Sequence, residues 1–415
     1  MAKHPKKNTF FPKKFLIIIS GLVMLNIALL FFFIHASPKE FFGQPFTEIK
    51  ALENGPRGFD EIAAFFRDVA KKKGAAYAFD LMKVAPIPPD IDVHLLAHEV
   101  GDILYKQQGA DGVAVCTDDF RNACSHTIVV GLFREKGEAA LPLIAEACHH
   151  APGGTGAYTM CFHGLGHGIL AATGYDLKRT VGICKKTGTS AYNKREYPEC
   201  VGGAIMELTG GVHDPVERDR EAKKYMTQNN PLSPCNRDFM DDAARPVCYI
   251  YLTPHLFELA GVDLGNPLPQ YFAKAFAFCS QIHSQEADRD ACFGGFGKEF
   301  IGIVRSRDAR KSTLQNMDSE KLSLIYTWCM KAGIDQGKGA CLFSAASSLY
   351  WGGENGEELP LSFCSIIGNE TYRDQCFGNL IGALHFYKSD PAMWQEACKK
   401  FPAYYQEQCN RSDVR

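Results

Sequence analysis

The stretch Cys161-Phe162-His163-Gly164-Leu165-Gly166-His167-Gly168-Ile169-Leu170, closed by Gly174 thirteen residues after its cysteine, decides how the chain is read. Degenerate copies of it recur. Cys124-Ser125-His126 closes at Gly137, and a copy starting at Cys248 closes at Gly261. Others start at Cys200 (followed by Val201-Gly202-Gly203), Cys292 (Phe293-Gly294-Gly295), Cys341 (closing near Gly352-Gly353) and Cys376 (Phe377-Gly378). An eighth lacks the cysteine: with Leu96 in its place, His98 falls on the motif histidine and Gly109 on the closing glycine. The starts lie 28 to 49 residues apart, within the range of helical solenoids, whose units bury their apolar faces only by stacking.

Each unit reads as a pair of helices. The first runs from just before the motif cysteine to the closing glycine, which suits the left-handed residue after a helix end. The second is amphipathic and carries a further cysteine in its last turns, as in Leu141-Pro142-Leu143-Ile144-Ala145-Glu146-Ala147-Cys148 and in the run from Tyr271 to Cys279. Few segments alternate with period two, so the fold class expected is all-α, an array of about eight helical hairpins that forms either an open α-solenoid superhelix or a closed α/α toroid. Asn122, Thr159, Asp290 and Asp374 each precede a motif cysteine by two residues and are expected to cap the first helix. Arg121, Arg245, Arg289 and Arg373 precede it by three and read as joints to neighbouring hairpins, with a ligand-binding row of arginines as the rival reading.

The sixteen cysteines fall into eight consecutive couples: Cys116 with Cys124, Cys148 with Cys161, Cys184 with Cys200, Cys235 with Cys248, Cys279 with Cys292, Cys329 with Cys341, Cys364 with Cys376, and Cys398 with Cys409. Antiparallel packing places the end of one second helix beside the start of the next first helix, so each couple is expected to form a disulfide staple. No Cys-x-x-Cys pair occurs, which leaves zinc ribbons, thioredoxin-like redox sites and covalent haem attachment without a motif. Helix pairs bracketed by cysteines, and the Gly101-x-x-Leu104-Tyr105 to Gly109 run, resemble the Sel1-like and tetratricopeptide class, especially its secreted cysteine-rich members. That resemblance implies a stacked helical scaffold and covers most of residues 92–409 in kind. The opening His163-Gly164 and His167-Gly168 of an inner helix also resembles lanthionine-cyclase-like α/α toroids. The Trp-Cys and Cys-His-Gly zinc motifs of that family are absent, so none of its ligands is carried over.

At net −2 over 415 residues the chain has no overall field to attract nucleic acid. Phe15 to Ile34 is apolar and uncharged, long enough to span a hydrocarbon layer of roughly 30 Å, and Lys3, Lys6, Lys7, Lys13 and Lys14 precede it. The expected order is a cytoplasmic basic tail (1–14), a transmembrane signal anchor (15–36), a stalk with a lead-in helix (37–91) and an extracytoplasmic, disulfide-rich repeat domain (92–415), periplasmic or extracellular. A cleaved signal peptide ending at Ala36 is the competing reading. Ile62, Phe65, Phe66 and Val69 give the lead-in helix its apolar face, and Asp90 or Asp92 is placed to cap the first repeat.

Seven of the thirteen histidines lie between His94 and His167. In repeat register His98, His126 and His163 occupy equivalent positions of three successive units, which places them in a row on one wall. His94 and His167 extend the row because residues four apart share a helix face. Asp102 and Glu207 are the carboxylates within reach. Such a set suits a divalent transition metal, zinc foremost, with His94, His98, His126 and His163 as ligands and His167, Asp102 or Glu207 as acid or base. A histidine at an inner helix start can equally hold a repeat joint by bonding a loop carbonyl. His149 and His150 read as surface residues, and His213, His255, His283 and His385 as isolated ones. Gly164, Gly203 and Gly295 would let a neighbouring backbone approach closely, or leave helix N-termini bare for an anion.

Three functions follow from these features. The first is a binding scaffold for a protein, peptide or glycan, with a metal or ligand site in its first three repeats. The second is a metal-dependent hydrolase or lyase using the same histidines. The third is a structural spacer at the cell surface. A closed ring with the histidine row facing a deep pocket would favour the enzyme.

Overall fold

The structure, a computed structural model, describes residues 46–411 except 54, 56–57, 89–90, 118, 189–194, 212, 309–312, 315, 351–355 and 389–390. The expected membrane span lies outside these residues. Among the described residues no helix is long and apolar enough to cross a membrane. The chain divides into Met1–Asn54, whose described part holds the short helix Ile49–Glu53, and Gly55–Arg415, which carries all the repeats.

The described residues form an all-helical fold with no named strand. The eight first helices of the units are α1 (Val93–Gln108), α2 (Ala123–Lys136), α3 (Gly154–Ala172), α4 (Glu196–Gly210), α5 (Arg245–Tyr251), α6 (Glu286–Val304), α7 (Asp335–Tyr350) and α8 (Glu370–Tyr387). Thr253–Ala260 continues α5 past a break at Leu252. Pro254 causes that break: it has no N–H for the Ile250 carbonyl, which accepts instead from the Thr253 hydroxyl at 3.2 Å. The outer helices, such as Leu141–His149, Leu177–Cys184 and Phe272–Cys279, bury one face each. Helix α3 is buried on nearly every side, as expected of a helix that lines the interior of an array.

Successive inner helices pack against one another from α1 to α8, and α8 then returns to touch α3. Arg195 fastens that return. Its guanidinium donates to Glu199 at 2.6 Å and to the Tyr387 hydroxyl at 3.1 Å, and lies 5.9 Å over the Phe386 ring. The inner wall is therefore closed from α3 to α8.

Eight disulfides join the cysteines as neighbouring couples, with sequence separations of 8 to 16 and Cα–Cα distances of 5.4–5.8 Å. Short loops make this pairing natural, since each staple closes only the turn between two packed helices. Replacing Cys116 and Cys124 by alanine is expected to lower the unfolding free energy by about 2 kcal/mol through loop-closure entropy. Denaturant unfolding measures it, and an unchanged midpoint would contradict it.

The helix starts correct one expectation. Helices α3, α6 and α8 begin six or seven residues before their cysteines, so Thr159, Asp290 and Asp374 lie inside them rather than at their caps. Asp290 accepts from Gln336 and Asp374 from Tyr405, both on the following unit. Asn122 does stand at the start of α2, but in a left-handed conformation with no side-chain cap bond. Capping falls to Asp92, which accepts from the backbone N–H groups of His94 and Leu95, and to Asn369, which accepts from that of Tyr372. Three of the register arginines are joints as expected: Arg245 bonds Asp242 and the Met240 carbonyl, Arg289 bonds Gln336, and Arg373 reaches the Ile367 carbonyl. Within the expected stalk, Phe59–Lys73 and Ala75–Val84 form a hairpin that packs on α1. Arg67–Glu99 and Ala75–Gln107 bonds tie it there.

Candidate metal centre

Glycine lets α3 and α4 meet backbone to backbone. A Cβ at Gly166 would overlap the Cys200 carbonyl, and one at Gly203 would overlap that of His163. Gly295 stands in the same relation to the Ile250 carbonyl at the α5–α6 contact. The packing reading of these glycines therefore holds. Gly164 admits the preceding helix, α2, in the same way: its Cβ would lie 2.6 Å from the Cα of His126.

This close approach gathers the histidine row. Ring centroids of His98 and His126 are 6.4 Å apart, and those of His126 and His163 are 5.8 Å apart. His94 lies 4.7 Å from His98, and His167 lies 5.1 Å from His163 and 5.9 Å from His126. His213, read from sequence as isolated, joins them at 5.9 Å from His98 and 6.3 Å from His167. The chain doubles back after α4 through Gly210-Gly211, and Gly211 has no side chain because the Glu207 carboxylate fills that space. Asp102, by contrast, is exposed, and burial of its surroundings raises its pKa. It makes no hydrogen bond to the cluster among the described residues. His149 and His150 are exposed, His283 is exposed, and His385 bonds the Cys409 carbonyl against Trp394, so these four stay outside the cluster. His255 is buried beside Glu258 at 3.7 Å.

Hydrogen bonds fix which ring nitrogen carries each proton. His94 Nδ1 faces the Phe120 carbonyl at 2.5 Å, an atom that can only accept. The Thr127 hydroxyl gives its proton to the Ala123 carbonyl at 2.8 Å, so it accepts from His98 Nδ1, also at 2.8 Å. Both imidazoles therefore hold their proton on Nδ1 and present bare Nε2 atoms to each other at 3.2 Å. Burial pushes the His94 pKa down to about 4 and that of His98 well below its ordinary value, so neither ring takes a second proton near neutrality. Burial does the same to His126 and His163. His126 is bonded to the Met160 carbonyl, and its buried Nε2 has no partner among the described residues.

Glu207 organises the opposite side. Its Oε2 accepts from Nδ1 of His167 and of His213, each at 2.9 Å. Its Oε1 accepts from the Tyr175 hydroxyl at 2.9 Å and from the His213 backbone N–H at 3.2 Å. All four lone-pair sites of the carboxylate are filled. Although burial opposes its ionisation, the bonds from His167 and His213 hold Glu207 well below the usual carboxylate range. Tyr175 reaches it because Gly174 and Tyr175 both adopt left-handed backbone, at φ +64° and +59°. Neither Tyr175 nor His213 fits the repeat register, so the periodic pattern carried no signal for them.

A cavity of about 310 Å³ opens over this cluster. His94, His126, His163 and His167 form part of its wall. Two triads, His94–His98–His126 and His167–Glu207–His213, each bring candidate ligand atoms within 4.8 Å of one another. A third triad, His385–Cys398–Cys409, is ruled out as a metal site by the disulfide between its cysteines. Compared with protein-family models, curated proteins and solved structures, the chain matches none.

Proposed function

We propose that the chain is a metal-dependent enzyme, a hydrolase or lyase, whose histidine cluster holds a divalent transition metal at the wall of a closed reaction cavity. The observation that carries this reading is the pair of bare nitrogens of His94 and His98 facing each other at 3.2 Å. Two facing lone pairs repel unless a cation lies between them. Two imidazoles bound at about 2.1 Å to one metal, at tetrahedral or octahedral angles, have nitrogens about 3.0–3.4 Å apart. His126, His167 and His213 offer their Nε2 atoms by the same logic, each with an outer acceptor on Nδ1. Ligating histidines in proteins show this arrangement, because the outer bond fixes ring and tautomer.

In this reading His94, His98 and His126 are ligands, with His167 and His213 completing the set, and Glu207 orients the last two rather than ligating or moving a proton. A bound metal would supply Lewis acidity and an activated water at neutral pH. Zinc, copper, nickel and iron all suit imidazole ligands, with zinc foremost. His163, with Nε2 at 3.4 Å from Met206 Sδ and its ring on Tyr251, stands at the cavity edge where it meets a substrate rather than the ion. The disulfides suit an oxidising compartment, and the apolar run 15–34 behind its lysines suits a single-pass anchor with the repeats outside the cytoplasm.

The test is elemental analysis of the full-length chain, exported to an oxidising compartment and purified in detergent. At least one transition-metal ion per chain is expected, either as purified or after incubation with zinc, copper, nickel and ferrous iron. A chain that takes up none of the four would refute the centre and return the scaffold reading.

A further inference from the structure

The register position that holds histidine in the first three units holds Ile250, Gly294, Phe343 and Gly378 in the last four, each two residues after its motif cysteine. All four line a second cavity, a groove of about 1190 Å³ bordered by α6, α7 and α8. It shares no lining residue with the cavity over the histidines. Two glycines in its wall have no packing reason to be there. Gly378 and Gly382 lie four apart in the interior of α8 and both line the groove. A Cβ at Gly382 would meet nothing within 4 Å, and one at Gly378 only the end of the Gln408 side chain at 3.9 Å. Glycine weakens a helix interior relative to alanine, and its use is to let something approach the backbone closely. At Gly166 and Gly203 that something is a neighbouring helix, whereas at Gly382 no part of the described chain takes the space.

The polar side chains around them are unpartnered as well. Ser344 and Ser347 of α7 and Gln375 and Asn379 of α8 line the groove and make no side-chain hydrogen bond among the described residues. Serines on the outer helices behave differently: Ser323, Ser362 and Ser365 each donate to a carbonyl four residues earlier. Tyr350, in the same wall, is fully buried, and its hydroxyl has no partner among the described residues. A buried hydroxyl without a bond is costly, and a ligand hydroxyl reaching it would supply the missing partner. The charged groups, by contrast, are answered within the wall. Arg195 is held by Glu199, and Asp335 accepts from Lys338 and from the Tyr372 hydroxyl, each at 2.9 Å. Glu286 and Asp290 accept from the Gln336 amide, whose oxygen accepts from Arg289, the cation that offsets Asp290. No cation is left to select an anion. From Phe343 on α7 and Gln375 on α8 onward, these two helices line the groove with uncharged side chains alone.

We propose that this groove binds a neutral oligosaccharide, with Ser344, Ser347, Gln375 and Asn379 bonding its hydroxyls and Phe343 carrying the face of a sugar ring. Amide and hydroxyl side chains both donate and accept, as sugar hydroxyls do, so the two sets match without any charge. Phe343 is 39% exposed although it stands on an inner helix, and the electron-rich face of its ring suits the C–H groups on one side of a sugar. The bare backbone at Gly378 and Gly382 gives so broad a ring room to lie close. A peptide is the rival occupant. An extended one seeks a strand edge and a helical one an apolar stripe; the described residues have no named strand, and the four unpartnered polar side chains interrupt any such stripe. The proposal goes beyond the metalloenzyme reading and does not rest on it.

The test is calorimetric titration of the full-length chain, treated with chelator and held in a detergent without a sugar headgroup. The probes are cellohexaose, chitohexaose and maltohexaose, with heparin and a neutral proline- and serine-rich peptide of similar length as comparators. At least one of the three sugars is expected to bind saturably, with an affinity that changes little as salt rises, because no charge is involved. Gly382→Leu should weaken that binding about tenfold or more. Its fold should be kept, since leucine favours the helix and its Cβ meets nothing. Asn379→Ala and Phe343→Ala, expected to weaken binding about tenfold as well, serve should the leucine variant misfold, and circular dichroism checks all three. Binding of none of the three sugars, undiminished binding in the folded variants, heparin or the peptide bound as tightly as the best sugar, or binding abolished by salt would each overturn the proposal. Metal content, read on untreated protein, is expected to be equal in parent and variants, so failure of the groove and failure of the metal centre register separately.

Discussion

Alanine at His94, His98 and His126 together is expected to abolish metal retention, from at least one ion per chain to none after gel filtration. These residues come from α1 and α2 and supply the facing Nε2 pair and the buried unpartnered Nε2 beside it. Removing three ligands leaves His167 and His213, too few to compete with water for a transition metal. The variant gives up the bonds from these imidazoles to Phe120, Thr127 and Met160 on the following units, so it should be less stable, but eight disulfides hold the array and circular dichroism checks that it is folded. Glu207→Gln makes the complementary case. An amide has only one oxygen: turned toward the two imidazoles it sets its NH2 group against the His213 backbone N–H, and turned toward that N–H and Tyr175 it sets the NH2 group against both imidazoles, so the hold on His167 and His213 is disturbed either way. Loss of an outer partner of this kind costs about 10–100-fold in metal affinity. A graded loss in Glu207→Gln beside a complete one in the triple variant would identify ligand and orienting roles. Undiminished metal in the triple variant would place any ion elsewhere.

The parts of the fold legible in the sequence are those set by local spacing. Each disulfide closes a short turn, so cysteine order alone gives the pairing, and the closing glycines take the positive φ expected at Gly109, Gly137, Gly174 and Gly261. The histidine row was legible for the same reason: equivalent positions on stacked helices are neighbours, and His98, His126 and His163 follow one another at about 6 Å. What escaped lies where the chain leaves the repeat. His213 arrives by a reversal after α4, and Tyr175 by two left-handed residues. The starts of α3, α6 and α8 were misplaced because a polar residue two before the cysteine looks like a cap, whereas Asp290 and Asp374 face the following hairpin and Thr159 bonds back to the Thr155 carbonyl of its own helix. The return of α8 to α3 depends on the curvature summed over six helices, which no single unit encodes.

Gly203→Val is expected to be the most damaging single substitution in the inner wall, lowering the unfolding free energy by about 4 kcal/mol or more. Any β-carbon there overlaps the His163 carbonyl, a backbone atom that cannot swing aside as a side-chain end would. The reciprocal contact at Gly166 against the Cys200 carbonyl blocks sliding of one helix along the other. The pair α3 and α4 must separate, and ordinary overpacking costs of about 1–3 kcal/mol understate a backbone collision at two crossing points. Separation also moves His163 and His167 on α3 away from Glu207 on α4, so metal affinity should fall along with stability. Gly182→Val provides the control: nothing lies within 4 Å of a Cβ there, on an outer helix, and only a helix-propensity change is expected. Denaturant unfolding of both variants, with metal content measured on the same samples, separates the outcomes. Equal midpoints for the two would mean that α3 and α4 do not meet through their glycines, and the positioning of Glu207 against His167 would then need another cause.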